Sequence, residues 1–282
     1  MSEKTRILLL GGTGFIGTNI IKYLSNYYDI TAPTRKELDI LDEEDVSTYL
    51  NNNKFDILVH SANICPRTNK NDKQQNMLEY TLKGFLNFEK HSSKFKKFFY
   101  IGSGAEYDKS RNINYVREDD IGQSIPKDLY GFAKYTINKI IRNSDNIYNI
   151  RLFGCYGEGE DKDRFITHAL NCCKNNEPIT IRKNCYFDYI SVEDFCSILE
   201  LFIKADLLYH DYNICIGKSI SLIDMALEIL EVVNNSRGIK ILSKVLGNSY
   251  YGSNNRLVEE LKRNYKTEFL FTQVKDYIKG IV

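Results

Sequence analysis

The stretch "RILLLGGTGFIG" at 6–17 runs a short apolar strand into the glycines Gly11, Gly14 and Gly17, spaced G-x-x-G-x-x-G, and on into residues of helical period. Strand, glycine loop and helix in that order form the context in which such spacing reads as a phosphate-binding turn. The tight turn needs a backbone free of side chain, Gly14 lets the main chain approach a pyrophosphate, and Gly17 lets the helix pack closely on the sheet. The amides and dipole at the helix start then stabilise the anion. A bound dinucleotide is the favoured reading; a glycine-rich turn without a ligand is its alternative.

Alternation extends this unit along the chain. "RILLL" (6–10), "DITAP" (29–33), "FDILVH" (55–60), "KFFYIGS" (97–103) and "IYNIRLF" (147–153) read as strands, with helices expected near 15–27, 43–52, 74–92 and 129–143. Apolar strands separated by helical crossovers predict an α/β fold, a doubly wound parallel sheet with helices on both faces. After about residue 155 the elements shorten: a helix near 164–175, strands near 178–182 and 186–191, and helices near 192–204 and 221–233. These predict a dinucleotide-binding domain over 1–155, with later segments returning to its sheet, and a smaller α/β lobe over 156–282 that mainly binds substrate. No repeat or low-complexity tract interrupts the pattern, and with 4 prolines in 282 residues no proline-rich linker separates the lobes.

Lysine plus arginine number 38 against 37 acids, a formal charge of +1, which gives no footing for a nucleic-acid partner. The 7 cysteines, at 65, 155, 172, 173, 185, 196 and 215, form no C-x-x-C pair and lie near no histidine cluster of metal-ligand spacing. They read as reduced, mostly buried thiols in a cytoplasmic protein that holds no metal. The apolar run in "MSEKTRILLLGG" is too short for a signal peptide or span, and no later stretch predicts membrane insertion.

At the end of the second expected strand, "ITAPTRKELDILD" offers Arg35 and Lys36 before any acid. A guanidinium there suits a 2′-phosphate and predicts NADP(H), with NAD(H) as the alternative if the two cations are only a solvated loop edge. "YGFAK" then sets Tyr130 and Lys134 four apart on one helix face. With an ordinary pKa near 10, a phenol needs a neighbouring positive charge to work as an acid or base near neutrality, and Lys134 supplies one. Ser103 follows the strand "KFFYIGS", at the carboxyl end of the sheet where ligands of open α/β folds sit. Each signal is weak alone; a helix face in water and a strand-end cap are the plain alternatives.

Together these residues resemble the extended short-chain dehydrogenase/reductase family, in its NAD-dependent epimerase/dehydratase group, whose members modify nucleotide sugars on a Rossmann fold. The motifs that carry the likeness are "GGTGFIG" (11–17), "GSGAEY" (102–107), "YGFAK" (130–134) and "FDYISVEDF" (187–195), with "DILD" (39–42) and "LVHSAN" (58–63) as further matches. The resemblance implies Tyr130 as general acid/base, Lys134 as its partner and ribose anchor, and Ser103 as hydrogen-bond donor to the reacting oxygen. It implies cofactor contacts from Gly11, Thr13, Gly14, Phe15, Ile16 and Gly17. Arg35, Asp39, Ile40, Ala62, Tyr130 and Lys134 complete that set. Substrate contacts are expected from Ser103, Glu106, Tyr130, Arg164 and Arg182, and a homodimer is expected by the same likeness.

Within the family, "TRKELDILD" with "GS" at the serine resembles NADP-using reductases of 4-keto-6-deoxy sugar nucleotides. Ala105 stands where the dual epimerase-reductases carry a cysteine, and "CYGEGEDKDRF" lacks their histidine, which points to a simple ketoreductase. Phe187 replaces an arginine that commonly meets the substrate diphosphate; Gly154 and Glu158 replace the asparagine and proline of "N-x-Y-G-P". Arg164, Arg182 and Lys183 are the candidates for substitute charge. The competing readings are a nucleotide-sugar 4-epimerase that retains NAD and a non-catalytic dinucleotide-binding member.

Overall fold

A computed structural model describes residues 4–63, 76–265 and 269–281. β1 (Arg6–Leu10), β2 (Asp29–Thr31), β3 (Ile57–His60), β4 (Lys97–Ser103), β6 (Ile147–Leu152) and β11 (Asp211–Ile214) form one six-stranded sheet. β5 (Ile113–Val116) and β7 (Gly154–Tyr156) to β10 lie outside it: β8 is Ile179–Lys183, β9 Tyr186–Phe187 and β10 Tyr189–Ser191. β12 (Ile220–Ser221), β13 (Ile239–Ser243) and β14 (Tyr250–Gly252) complete the described strands.

The large sheet has the order β11-β6-β4-β3-β1-β2 and every pairing in it is parallel, so the expected doubly wound fold is present. Its strand order reverses between β1 and β3, which opens a crevice at their carboxyl ends. Alternate residues of the central strands enter opposite cores: Ile7, Leu9, Val59, Phe99 and Ile101 on one face, Leu8, Leu10, Leu58, Phe98 and Tyr100 on the other. The first face is covered by α1 (Phe15–Leu24), and the second by α2 (Glu43–Asn52), α3 (Met77–Glu89) and α4 (Leu129–Ile141).

Caps place these helices. Asp42 accepts from the amides of Glu44 and Asp45 at the start of α2, whose first turn is acidic and so complements the dipole. Asp128 accepts from the Gly131 amide at 2.9 Å and starts α4 immediately before Tyr130. Ile137 and Ile141 of α4 are buried in the second core, which accounts for their spacing by packing within the chain.

The second half of the chain serves both cores. β11, α6 (Val192–Lys204) and α8 (Asn255–Tyr265) return to the large sheet, α6 lying against α1. α5 (Phe165–Lys174), β8, α7 (Leu222–Val232) and α9 (Val274–Ile281) bury a separate cluster around Tyr156, Ile166, Ile179, Met225 and Ile229. The single strand expected over 186–191 is two, β9 and β10, broken at Asp188. The Asp188 carboxylate accepts the amides of Ile216, Gly217 and Lys218, while β9 pairs with β12 and β14, and β10 with β7. Of the cysteines, Cys155, Cys172, Cys185, Cys196 and Cys215 are buried free thiols and Cys173 is half-buried; Cys65, and residues 74–75 of the helix expected near 74–92, lie outside the described residues.

Candidate active site

The glycine loop lies in the crevice between β1 and β3. Gly11 has φ +83°, and a Cβ there would fall 2.7 Å from the Ala62 amide nitrogen, so the loop after β1 and the end of β3 touch backbone to backbone. A Cβ on Gly17 would fall 2.2 Å from the Gly11 carbonyl oxygen, so Gly17 shapes the loop by letting α1 close on it. Gly14 caps α1 with no side-chain hydrogen bond and the first turn holds no acid, leaving its leading amides available to an anion.

A cavity of about 470 Å³ opens over this cradle, lined by Gly11, Thr13, Arg35, Asp39, Ile40 and Ala62. Arg35 and Asp39 face each other at 3.6 Å with the arginine side chain 75% exposed. A pair so exposed contributes at most about 1 kcal/mol, so Arg35 remains available to an incoming phosphate. His60, at the end of β3, also lines the cavity; its Nε2 lies 3.3 Å from the Gly84 carbonyl, and burial lowers its pKa to about 4.

A second cavity of about 510 Å³ shares Asn63 with the first, and Gly14, Phe15 and Ile16, which follow Thr13 of the first wall along the chain, line the second. Ser103, Tyr130, Lys134 and Arg164 converge on it. Ser103 ends β4 and caps a 3-10 turn over Gly104–Tyr107, its Oγ accepting from the Ala105 amide at 3.2 Å. A Cβ on Gly131 would fall 2.7 Å from the Ala105 carbonyl oxygen, so glycine at 131 brings the start of α4, and Tyr130 with it, against the serine turn.

Lys134 is buried, donates to the Ile101 carbonyl at 2.8 Å, and has its Nζ 5.9 Å from the Tyr130 ring centroid. Burial lowers its ammonium below the usual lysine range, while the carboxylate of Glu106 pulls the other way. Lys109 puts a second ammonium 5.3 Å from the same ring and pairs with Asp128 at 3.6 Å. Two lysine side chains thus lie within 6 Å of the Tyr130 ring centre. Arg164 is paired with Glu160 at 3.3 Å in the cavity wall.

Two expected substrate residues are placed elsewhere. Glu106 is fully buried: one oxygen accepts the Ser103 amide at 3.0 Å, and the other takes Arg151 Nε at 2.7 Å and Asn149 Nδ2 at 3.0 Å. A carboxylate so committed holds the serine turn and does not face the cavity. Arg182 projects into solvent from β8, outside both cavity walls, because β8 buries the alternate residues Ile179 and Ile181.

The wall also contains Lys109, Phe187, Asn248, Ser249 and Tyr250. Lys109 lies six residues after Ser103 in the same segment, a spacing that a search for cations near the tyrosine could have used. Tyr250 had no local signal; it arrives through the pairing of β14 with β5 and β9.

A model of the NAD dependent epimerase/dehydratase family matches residues 7–215. The chain belongs to the NAD dependent epimerase/dehydratase family. It is 28% identical over 267 residues to an ADP-L-glycero-D-manno-heptose-6-epimerase of Brachyspira hyodysenteriae, covering 82% of either chain. The fold is similar to that of a GDP-mannoheptose C4 reductase from Campylobacter jejuni with NADP bound, at TM-score 0.84 and 17% identity over 99% of this chain and 97% of that one. A UDP-glucose 4-epimerase from Thermotoga maritima, solved with UDP-glucose, gives TM-score 0.80 and 18% identity over 98% and 96%. The epimerase/dehydratase resemblance read from "GGTGFIG", "GSGAEY" and "YGFAK" is therefore borne out at the level of family and fold.

Proposed function

We propose that this chain is an NADPH-dependent ketoreductase acting on the 4-keto group of a nucleoside-diphosphate 4-keto-6-deoxyhexose. The observation that carries the reading is the convergence of Ser103, Tyr130 and Lys134 on one cavity, which shares Asn63 with a second cavity over the glycine cradle that has Arg35 in its wall. The cradle fits a dinucleotide, since glycine at 11 and 17 lets the loop, the end of β3 and α1 close on one another backbone to backbone, and the uncapped amides of α1 suit a pyrophosphate. Gly11 to Ile16 would hold the pyrophosphate, Asp39, Ile40 and Ala62 the adenosine side, and Arg35 the 2′-phosphate.

When bound, the reduced nicotinamide supplies a hydride. Tyr130 gives its phenolic proton to the carbonyl oxygen as that atom becomes a hydroxyl, and Ser103 donates a hydrogen bond to the same oxygen. Lys134 stabilises the phenolate left behind and anchors the ribose of the nicotinamide, and Lys109 adds a second positive charge near the ring. Arg164 is the cation in the wall best placed for the substrate's phosphates.

Residues 1–155, with later strands returning, make up the cofactor half in this reading, and 156–282 mainly the substrate half. The protein works as a homodimer in the cytoplasm, where free thiols stay reduced; sedimentation of the purified protein checks the pairing. Among the described residues no helix is long and apolar enough to cross a membrane.

A 4-epimerase retaining NAD is the second reading. Asp39 favours it, since an acid in the cofactor cavity suits the ribose hydroxyls of NAD. Identification of any nucleotide that copurifies, followed by titration with NADPH and NADH, separates the two. Empty protein that prefers NADPH supports the reductase; tightly retained NAD overturns it in favour of the epimerase.

A further inference from the structure

Ser103 has more hydrogen-bonding neighbours than its place at the end of β4 requires. Its Oγ already accepts from the Ala105 amide, and 3.4 Å away stands the hydroxyl of Tyr250, brought across from β14. A serine hydroxyl offers one proton and two lone pairs. If the phenol fills the second lone pair, the only hydrogen-bonding capacity left on Ser103 is its own proton.

The surroundings of Tyr250 favour that direction. Its ring lies between Phe153, at 5.2 Å between centroids, and Phe187, at 5.5 Å. A Cβ on Gly104 would fall 2.6 Å from the Tyr250 hydroxyl, and one on Gly252 would fall 2.7 Å from the Phe153 ring, so the slot exists only because both positions are glycine. Among the described residues, Ser103 Oγ is the hydrogen-bonding partner found for this phenol. Burial raises the Tyr250 pKa well above the ordinary tyrosine value, so the group stays protonated and able to donate.

We infer that Tyr250 is a positioning residue: its phenol donates to Ser103 Oγ, both lone pairs of the serine are then occupied, and the serine proton is directed into the cavity towards the substrate's reacting oxygen. A free serine rotor could equally accept from a substrate hydroxyl; Tyr250 makes Ser103 an obligate donor, which is what an oxygen gaining negative charge requires. The inference rests on the ketoreductase reading for the identity of that oxygen, and on geometry alone for the Tyr250–Ser103 bond. The smaller lobe thereby takes part in setting up the reaction, so the closeness of β14 to the serine turn bears on turnover as well as on binding.

The test is a double-mutant cycle on the full chain with Tyr250→Phe and Ser103→Ala, in which kcat, KM, NADPH affinity and melting temperature are measured. Tyr250→Phe keeps the ring in its slot and is expected to lower kcat about tenfold, as for loss of one hydrogen bond, with KM and NADPH affinity changed less than about twofold. In the Ser103→Ala background the same change is expected to lower kcat less than about twofold, because the hydroxyl it acts through is gone. Ser103→Thr keeps a hydroxyl and must retain the tenfold sensitivity, which guards against a Ser103→Ala protein that fails to fold. Undiminished kcat in Tyr250→Phe, or an equal loss with and without the serine hydroxyl, overturns the inference.

Melting temperatures read the bond without any turnover. Shifts of the two single variants that fail to add in the double variant support it, and strictly additive shifts contradict it. A wild-type protein that reduces no 4-keto-6-deoxy sugar nucleotide yet shows non-additive melting refutes the ketoreductase reading while supporting the Tyr250–Ser103 bond.

Discussion

Lys134 and Ile101 tie the helix that carries Tyr130 to the strand that carries Ser103: the lysine Nζ donates to the Ile101 carbonyl at 2.8 Å and lies 4.3 Å from the centre of the Tyr100 ring. A flexible ammonium is thereby fixed 5.9 Å from the centre of the Tyr130 ring, in the cavity wall. On the proposed reading Tyr130→Phe removes the proton donor and keeps the ring, and is expected to lower kcat by about a thousandfold while NADPH affinity changes less than about twofold. Lys134→Met is expected to lower kcat and weaken NADPH binding together. Steady-state kinetics and a fluorescence titration of the two variants check the distinction.

Among the described residues Arg35 is ion-paired with Asp39, in an exposed contact that contributes little to the fold. Arg35→Asp replaces attraction with repulsion at a 2′-phosphate and is expected to shift the ratio of NADPH to NADH affinity towards NADH by a factor of about a hundred, the loss of a charge-assisted bidentate contact. Melting temperature stays near that of the wild type. Parallel titrations with the two cofactors measure the ratio.

Arg151 joins the serine turn to the far edge of the sheet. Fully buried, it donates to Glu106 at 2.7 Å, to Asn213 at 2.9 Å and to Asp211 at 3.2 Å. Removing this buried cation breaks its ion pair with Glu106, so Arg151→Met is expected to destabilise the protein by about 3–5 kcal/mol. Urea unfolding gives this difference directly.

His60 sets a pH dependence whose sign is fixed by its burial. Its pKa is about 4 in the folded chain against about 6.5 when unfolded, so between these values the unfolded chain binds more protons. The stability contributed by the neutral imidazole is complete above about pH 6.5 and is lost as pH falls towards 4, by about 3 kcal/mol at most. His60→Gln is expected to remove that part of the slope. Unfolding free energies of both proteins, measured at several pH values, show whether the difference between them changes across this window.

The parts of the fold legible in the sequence are those fixed by local rules. β1 with its glycine loop, β4, α2 and α6 match their expected bounds because apolar runs, Asp42 and Ser191 caps and helical periodicity are short-range signals. β5, β11 and β14 escaped because each is three or four residues long and is held by partners far along the chain, as Tyr250 is by Ile113 and Phe187. The same division runs through the site. Ser103, Tyr130 and Lys134 follow from a strand end and a helix face, whereas Tyr250 reaches Ser103 only through tertiary pairing. The acidity of Glu106 is visible in the sequence, whereas its buried partner Arg151, on a different strand, shows only in the fold.

The central claim is best tested by mixing purified protein with NADPH and a nucleoside-diphosphate 4-keto-6-deoxyhexose and following cofactor and sugar together. Equimolar consumption of NADPH and the keto sugar, with one C4 alcohol appearing, is the predicted result. No consumption of NADPH, with NAD retained by the protein and a nucleotide sugar interconverted between its C4 epimers, would contradict the account.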